Sequence, residues 1–241
     1  MPPVIFFLSC AFCFGAIVGS FLNVCIYRIP EGKSIVSPPS SCPGCGAAIR
    51  WYQNIPILSW VLLGGRCAFC KKSISVRYPL VEALTGILFV LVLWYFGFSA
   101  ATLIYWIFSA VLVVITFIDL DHQIIPDIVS LPGIPIGFVC SFFVPWISWF
   151  DSLLGILLGG GLLLLIAWLY EVLAKREGMG GGDIKLLAML GAFLGWRAIF
   201  PIIFFASLAG TLVGVPLMLL RKKDSRLALP FGPFLALAAL V

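Results

Sequence analysis

The sequence predicts an all-α polytopic membrane protein of about eight transmembrane helices with one sizeable extramembrane loop. Three observations predict it. Of 241 residues, 62% are apolar and only 10% charged, against roughly 25% charged in an average soluble domain. Uncharged stretches such as Val4 to Ile26 match the ~20 residues a helix needs to cross the hydrocarbon layer, and the mean hydropathy is +1.17. The stretches are apolar on every face, whereas strands of a membrane barrel alternate, so the backbone is satisfied within helices. An ordinary water-soluble globule is excluded, and no nucleic-acid partner is expected.

The first span, about 4 to 26, has no positive region before it and is too long for the apolar core of a secretory signal, so it reads as retained. The loop from 28 to 79 follows. Further apolar stretches run at about 80 to 97, 100 to 118, 128 to 147, 152 to 174, 184 to 196, 199 to 220 and 229 to 241. The sixth span is short, and the last ends with the chain at Val241. Lys and Arg occur at 28, 33, 50, 66, 71, 72 and 77, then nowhere until Lys175, and then at 176, 185, 197, 221, 222, 223 and 226. If the 28–79 loop is cytoplasmic, the connections 119–127, 175–183 and 221–228 lie on the same side, with every Lys and Arg except Arg197. The N-terminus is then outside. Residues 1–27 read as a first transmembrane helix, 28–79 as a cytoplasmic loop domain and 80–241 as a second membrane domain.

Eight cysteines fall into two sets. Cys10, Cys13, Cys25 and Cys140 lie inside apolar spans and read as small buried hydrophobes. Cys42-Pro-Gly-Cys45 and Cys67-Ala-Phe-Cys70 lie in the polar loop. A C-x-x-C knuckle lets two thiolates share one ion, and two knuckles complete the four-sulfur shell that Zn²⁺ prefers. A cytoplasmic loop keeps its thiols reduced, which disfavours disulfides. The expected metal is structural zinc, closed to substrate, supplying folding energy to a loop with little core.

Acids beside membrane helices form the second feature. Asp119-Leu-Asp121-His122 through Asp127 follows the third span, and Gly180-Gly-Gly182-Asp183-Ile-Lys185 opens the sixth. Ionisable groups at membrane depth are functional candidates by default, although Asp121 and Asp127 also suit the bland role of helix cap. Glycines allow a close backbone approach, but the run is a poor phosphate cradle, with no preceding strand and no Lys-Ser/Thr after it. Two carboxylates in a low-dielectric site share one proton, the arrangement an aspartic protease uses. His122 reads as a polar neighbour of the acids.

The stretches Phe21 to Pro30, Cys42 to Cys45, Trp51 to Pro56, Ser59-Trp60, Cys67 to Cys70, Arg77 to Glu82, Asp119 to Asp127, Gly180 to Asp183 and Pro230-Phe-Gly-Pro233 together resemble the bifunctional type IV prepilin peptidase family, prepilin leader peptidase/N-methyltransferase, a G-x-G-D type of membrane aspartyl protease. The resemblance implies removal of a short basic leader from type IV prepilins and type II secretion pseudopilins at the cytoplasmic face of the bacterial inner membrane. It also implies N-methylation of the new N-terminal residue with S-adenosylmethionine. By motif the catalytic pair is Asp119 and Asp183, with Asp121 the fallback for the first position and Gly180, Gly182 and Lys185 in support. Arg77 and Glu82 are weak candidates for cofactor contact, beside a plain role in anchoring a span end. The family commonly runs somewhat beyond the position that Val241 matches, which suggests a short or trimmed last span. A peptidase without methyl transfer, an ion-coupled transporter and a zinc-bearing scaffold are the competing readings.

Overall fold

The computed structural model describes residues 2–174, 180–221 and 230–240. The basic connections that the charge pattern singles out, around 175–179 and 222–229, lie outside the described residues. Helices run over α1 (Pro2–Arg28), α2 (Leu58–Leu62), α3 (Arg77–Phe96), α4 (Ala100–His122), α5 (Asp127–Cys140), α6 (Trp149–Ala174), α7 (Gly181–Leu194), α8 (Trp196–Arg221) and α9 (Gly232–Leu240). Each of the eight expected spans has its helix, but five of them, α1, α3, α4, α6 and α8, are long and apolar enough to cross a membrane. The other three, α5, α7 and α9, have 14, 14 and 9 residues. At 1.5 Å per residue, 14 residues rise about 21 Å, short of a ~30 Å hydrocarbon layer.

The chain divides into two compact units, Met1–Val114 and Ile115–Val241, the division falling within α4. In the first, α1 and α3 pack through small residues spaced to let backbones touch. A Cβ on Gly15 would meet Gly86 Cα at 2.8 Å, and one on Gly19 would meet Glu82 Cα at 2.7 Å. Phe14, Phe89 and Trp106 close the pairing, Phe89 and Trp106 stacked at 4.9 Å. Cys10 and Cys13 lie exposed on α1, a departure from the expected burial, whereas Cys25 is buried. A single-pass apolar helix presents part of its surface to lipid, which hydropathy does not separate from the packed part.

In the second unit α7 is the centre. All eight residues from Leu186 to Phe193 are buried, so its apolarity serves protein packing and needs no full crossing. Two stripes grip it. Gly155 and Gly159 of α6 would carry a Cβ into Gly191 O at 2.2 Å and Leu187 O at 2.5 Å, and Gly137 of α5 meets Ala192 Cβ at 2.8 Å. The Ser152 hydroxyl donates to the Ala192 carbonyl at 2.7 Å. At the far end the chain leaves α7 through Gly195 at φ 77°. There Trp196 Nε1 donates to Asp151 Oδ1 at 3.0 Å, joining the starts of α8 and α6. This packing fixes where α7 begins, and Asp183 lies in its first turn.

Candidate active site

Asp119 and Asp183 face one cavity of about 380 Å³ within the second unit. Its walls are the α4–α5 connection (Gln123, Ile124, Ile125), the glycine run (Gly180, Gly182) and Pro230-Phe231 ahead of α9, with Asp127 at its edge. Asp119 is buried in the last turn of α4. The helix stops three residues later because Gln123 turns left-handed at φ 54°, its N–H still donating to the Asp119 carbonyl at 2.9 Å. Pro126 then caps α5, as its fixed φ and missing N–H suit a helix start.

The Asp119 carboxylate is held from an unexpected quarter. Gly232, the first residue of α9, donates its N–H to Asp119 Oδ2 at 2.9 Å in a buried setting. A Cβ there would lie 2.7 Å from that oxygen. A helix N-terminus suits a negative charge. Pro230-Phe-Gly-Pro233 is visible in the sequence, but nothing in its composition tells that the glycine amide reaches residue 119.

Asp183 is half-buried in the first turn of α7, outside the five long spans. Burial, and secondarily the charge of Asp119, push its carboxyl up to about 6. Two acids thus share an environment that favours one proton between them. Gly182 lets α7 approach the α4–α5 connection, since a Cβ would meet Ile125 Cβ at 3.0 Å; around Gly180 there is open space. Lys185 Nζ binds both oxygens of Asp127 at 2.7 and 2.8 Å, so the two join α7 to α5. Asp121 and His122 are exposed, and neither lines the cavity.

The four loop cysteines converge in the first unit, their Sγ atoms within 4.8 Å of one another. Cys42 and Cys70 sulfurs are 3.8 Å apart, the edge of a tetrahedron with metal–sulfur bonds of about 2.3 Å. The two knuckles repeat one turn. Cys42 N–H donates to the Ala47 carbonyl and Gly46 N–H to Cys42, as Cys67 N–H donates to Lys72 and Lys71 N–H to Cys67. Antiparallel bridges Ser41↔Ala48 and Arg66↔Ser73 close each. The left-handed residue is Gly46 in one and Lys71, at φ 59°, in the other. The backbone N–H groups of Cys70 and Phe69 draw the Cys67 thiol down to about 6, toward the thiolate a metal binds. The residues present fit one closed four-sulfur metal site.

Glu82 is buried, and its Oε2 accepts the Ile57 N–H at 2.7 Å. Arg77 opens α3 and is half-buried. Asn23, also buried, donates to the Gly19 and Tyr78 carbonyls, tying α1 to the start of α3. These placements give Glu82 a structural role of the kind the sequence offered beside cofactor contact, and Asn23 one that the sequence did not assign.

Helices long and apolar enough to span a membrane, a buried acid facing a second acid across a cavity, and a glycine amide on the first define a class of membrane proteins with a carboxylate pair. Residues 13–96 match the bacterial peptidase A24 N-terminal domain, and residues 106–215 match the type IV leader peptidase family. Three relatives are named prepilin leader peptidase/N-methyltransferase. That of Pseudomonas putida is 38% identical, covering 99% of this chain and 90% of the relative. Those of Myxococcus xanthus and Neisseria gonorrhoeae are 45% and 39% identical, covering 86% and 93% of this chain and 62% and 85% of theirs. No solved structure matches the chain. The chain belongs to the type IV leader peptidase family, among the prepilin leader peptidase/N-methyltransferases.

Proposed function

We propose that this chain is an inner-membrane aspartyl endopeptidase that removes the basic leader from type IV prepilins and type II secretion pseudopilins at the cytoplasmic face, and then N-methylates the new N-terminal residue. The observation that carries the peptidase reading is the convergence of Asp119 and Asp183 on one cavity, with the Gly232 amide on Asp119. Asp119 acts as the ionised partner, its charge met by the start of α9. It takes a proton from the water that attacks the scissile carbonyl. Asp183 carries the shared proton and donates it toward the carbonyl oxygen as the tetrahedral intermediate forms. Ile124, Ile125 and Phe231 give the cavity an apolar wall against which a hydrophobic segment can lie. Lys185 and Asp127 hold α7 against α5 and so position Asp183.

In the first unit, Cys42, Cys45, Cys67 and Cys70 would hold zinc, whose four sulfur ligands leave no open position and so confine it to a structural role. S-adenosylmethionine would supply the methyl group. Residues 28–82 fold as two knuckles and short helices, with no strand–glycine turn–helix cradle for that cofactor among the described residues. The methyl-transfer half of the reading is carried by family membership together with the intact four-cysteine loop. Intact mass spectrometry of a purified prepilin incubated with the protein in detergent, with and without S-adenosylmethionine, tests both halves. Leader loss, with one further methyl increment when the cofactor is present, is expected. Cleavage without the increment would restrict the protein to a protease, and an uncut prepilin would overturn the reading.

A further inference from the structure

The loop between α1 and α3 contains a helix built inside out. In α2 the buried side chain is Ser59, whose hydroxyl donates to the Tyr52 carbonyl and accepts the Ile55 N–H, both at 3.0 Å. The outer face carries Leu58, Val61 and Leu62, spaced i, i+3, i+4 and exposed by 60, 60 and 85%, and Trp51 nearby is 82% exposed. An apolar stripe turned outward around a polar interior contradicts water as the neighbour. It is the pattern of a helix whose surroundings are apolar.

Depth along the spans supports the same conclusion. The Ile57 N–H is bound by Glu82, whose carboxylate also accepts the Ser20 hydroxyl. Glu82 lies five residues inside α3, about 7.5 Å past Arg77, and Ser20 lies eight residues inside α1, about 12 Å before Arg28. Arg28 and Arg77 mark the ends of those apolar helices, as cationic residues flank a hydrocarbon layer; the Arg28 guanidinium itself donates to the Ser34 and Pro38 carbonyls of the loop. The start of α2 is therefore pinned below the headgroup level, within the ~5–10 Å at which interfacial helices lie. The pin acts against strain, because Ile57 is β-branched yet left-handed at φ 62°, with the Leu58 N–H folded back onto the Pro56 carbonyl. Charge fits as well. Residues 28–82 hold seven Lys and Arg against two acids; Glu31 is paired with Lys33 and Glu82 is buried. That balance suits an anionic leaflet.

We propose that α2 is a re-entrant interfacial anchor whose Leu58, Val61 and Leu62 face lies among the acyl chains of the anionic leaflet, held there by Glu82. The test places p-benzoylphenylalanine at Leu62 or Trp51 of the full chain, in vesicles of phosphatidylethanolamine and phosphatidylglycerol, with Leu91 of α3, 56% exposed, as the lipid-facing reference. Irradiation should give adducts of phospholipid mass at Leu62 and Trp51 comparable with those at Leu91. Glu82→Ala should reduce the Leu62 adduct severalfold, and Glu82→Gln, which keeps an acceptor oxygen, should restore it. Adducts at Leu91 alone, or crosslinks from Leu62 and Trp51 only to protein, including an added prepilin, would overturn the proposal. The labelling in the unsubstituted background decides the matter even where Glu82→Ala fails to fold.

Discussion

At the scale of single residues the most demanding position has no side chain. Gly232 puts its amide on Asp119, and any Cβ would enter the carboxylate's space. Gly232→Ala is expected to cut leader removal by about a hundredfold, the loss a misplacement near 1 Å brings, while size-exclusion behaviour and metal content stay those of the wild type. In the proposed mechanism Asp183 sets the pH dependence. Its carboxyl, raised to about 6, keeps the shared proton below that pH and loses it above, so the one-proton state of the pair drains as pH rises. Cleavage rate should therefore fall by about tenfold per unit well above pH 6, and a rate still rising between pH 7 and 9 would contradict the assignment. Lys71 occupies the left-handed place that Gly46 fills in the other knuckle, and Lys71→Gly should stabilise the loop by about 1 kcal/mol, read as slower metal release under denaturant. The acids were legible because ionisable side chains are rare beside apolar helices, and the four loop cysteines because two C-x-x-C pairs stand in one polar loop. Gly232 and Ile57 were not, since a backbone donor's partner is set by folding across more than a hundred residues or by a strained turn.

At the scale of helices, hydropathy located each of the long apolar stretches, though not the short α2 inside the loop, and it measured apolar length rather than helix length. The stretch expected over 128–147 is α5 and then a 3-10 turn at Ser141–Phe143. The sixth stretch is α7, wholly enclosed from Leu186 to Phe193. Composition cannot tell lipid from protein as the apolar neighbour, and only the Gly155 and Gly159 spacing on α6 hints at the close approach. Because Gly155 and Gly191 meet backbone to backbone, Gly191→Val should overpack the pair. Destabilisation of about 1–3 kcal/mol is expected, seen as a lower thermal midpoint in detergent, with cleavage falling as Asp183 loses its support. Unchanged stability would contradict the packing role given to this stripe.

At the scale of the whole molecule the two candidate sites fall in separate compact units, the cluster of Cys42, Cys45, Cys67 and Cys70 in Met1–Val114 and the acid pair in Ile115–Val241. Replacing Cys42 and Cys67 by Ser should release the metal, measured by elemental analysis, and should abolish methylation while lowering cleavage less. Full methylation by a metal-free protein would remove the loop from that reaction. The same division shows why the fold class was readable from sequence and the sites only in part. Span positions follow from composition, and metal chemistry from spacing within one loop. The meeting of residues 119, 183 and 232 depends on how α4, α7 and α9 pack.

The most direct test of the central claim is intact mass spectrometry of a prepilin incubated with wild type, Asp119→Asn and Asp183→Asn, each verified as folded and metal-loaded. Complete leader loss with wild type and a drop of at least about 10²-fold with each variant is the predicted result. Cleavage by either Asn variant at a rate near that of wild type would contradict the acid pair as the catalytic centre.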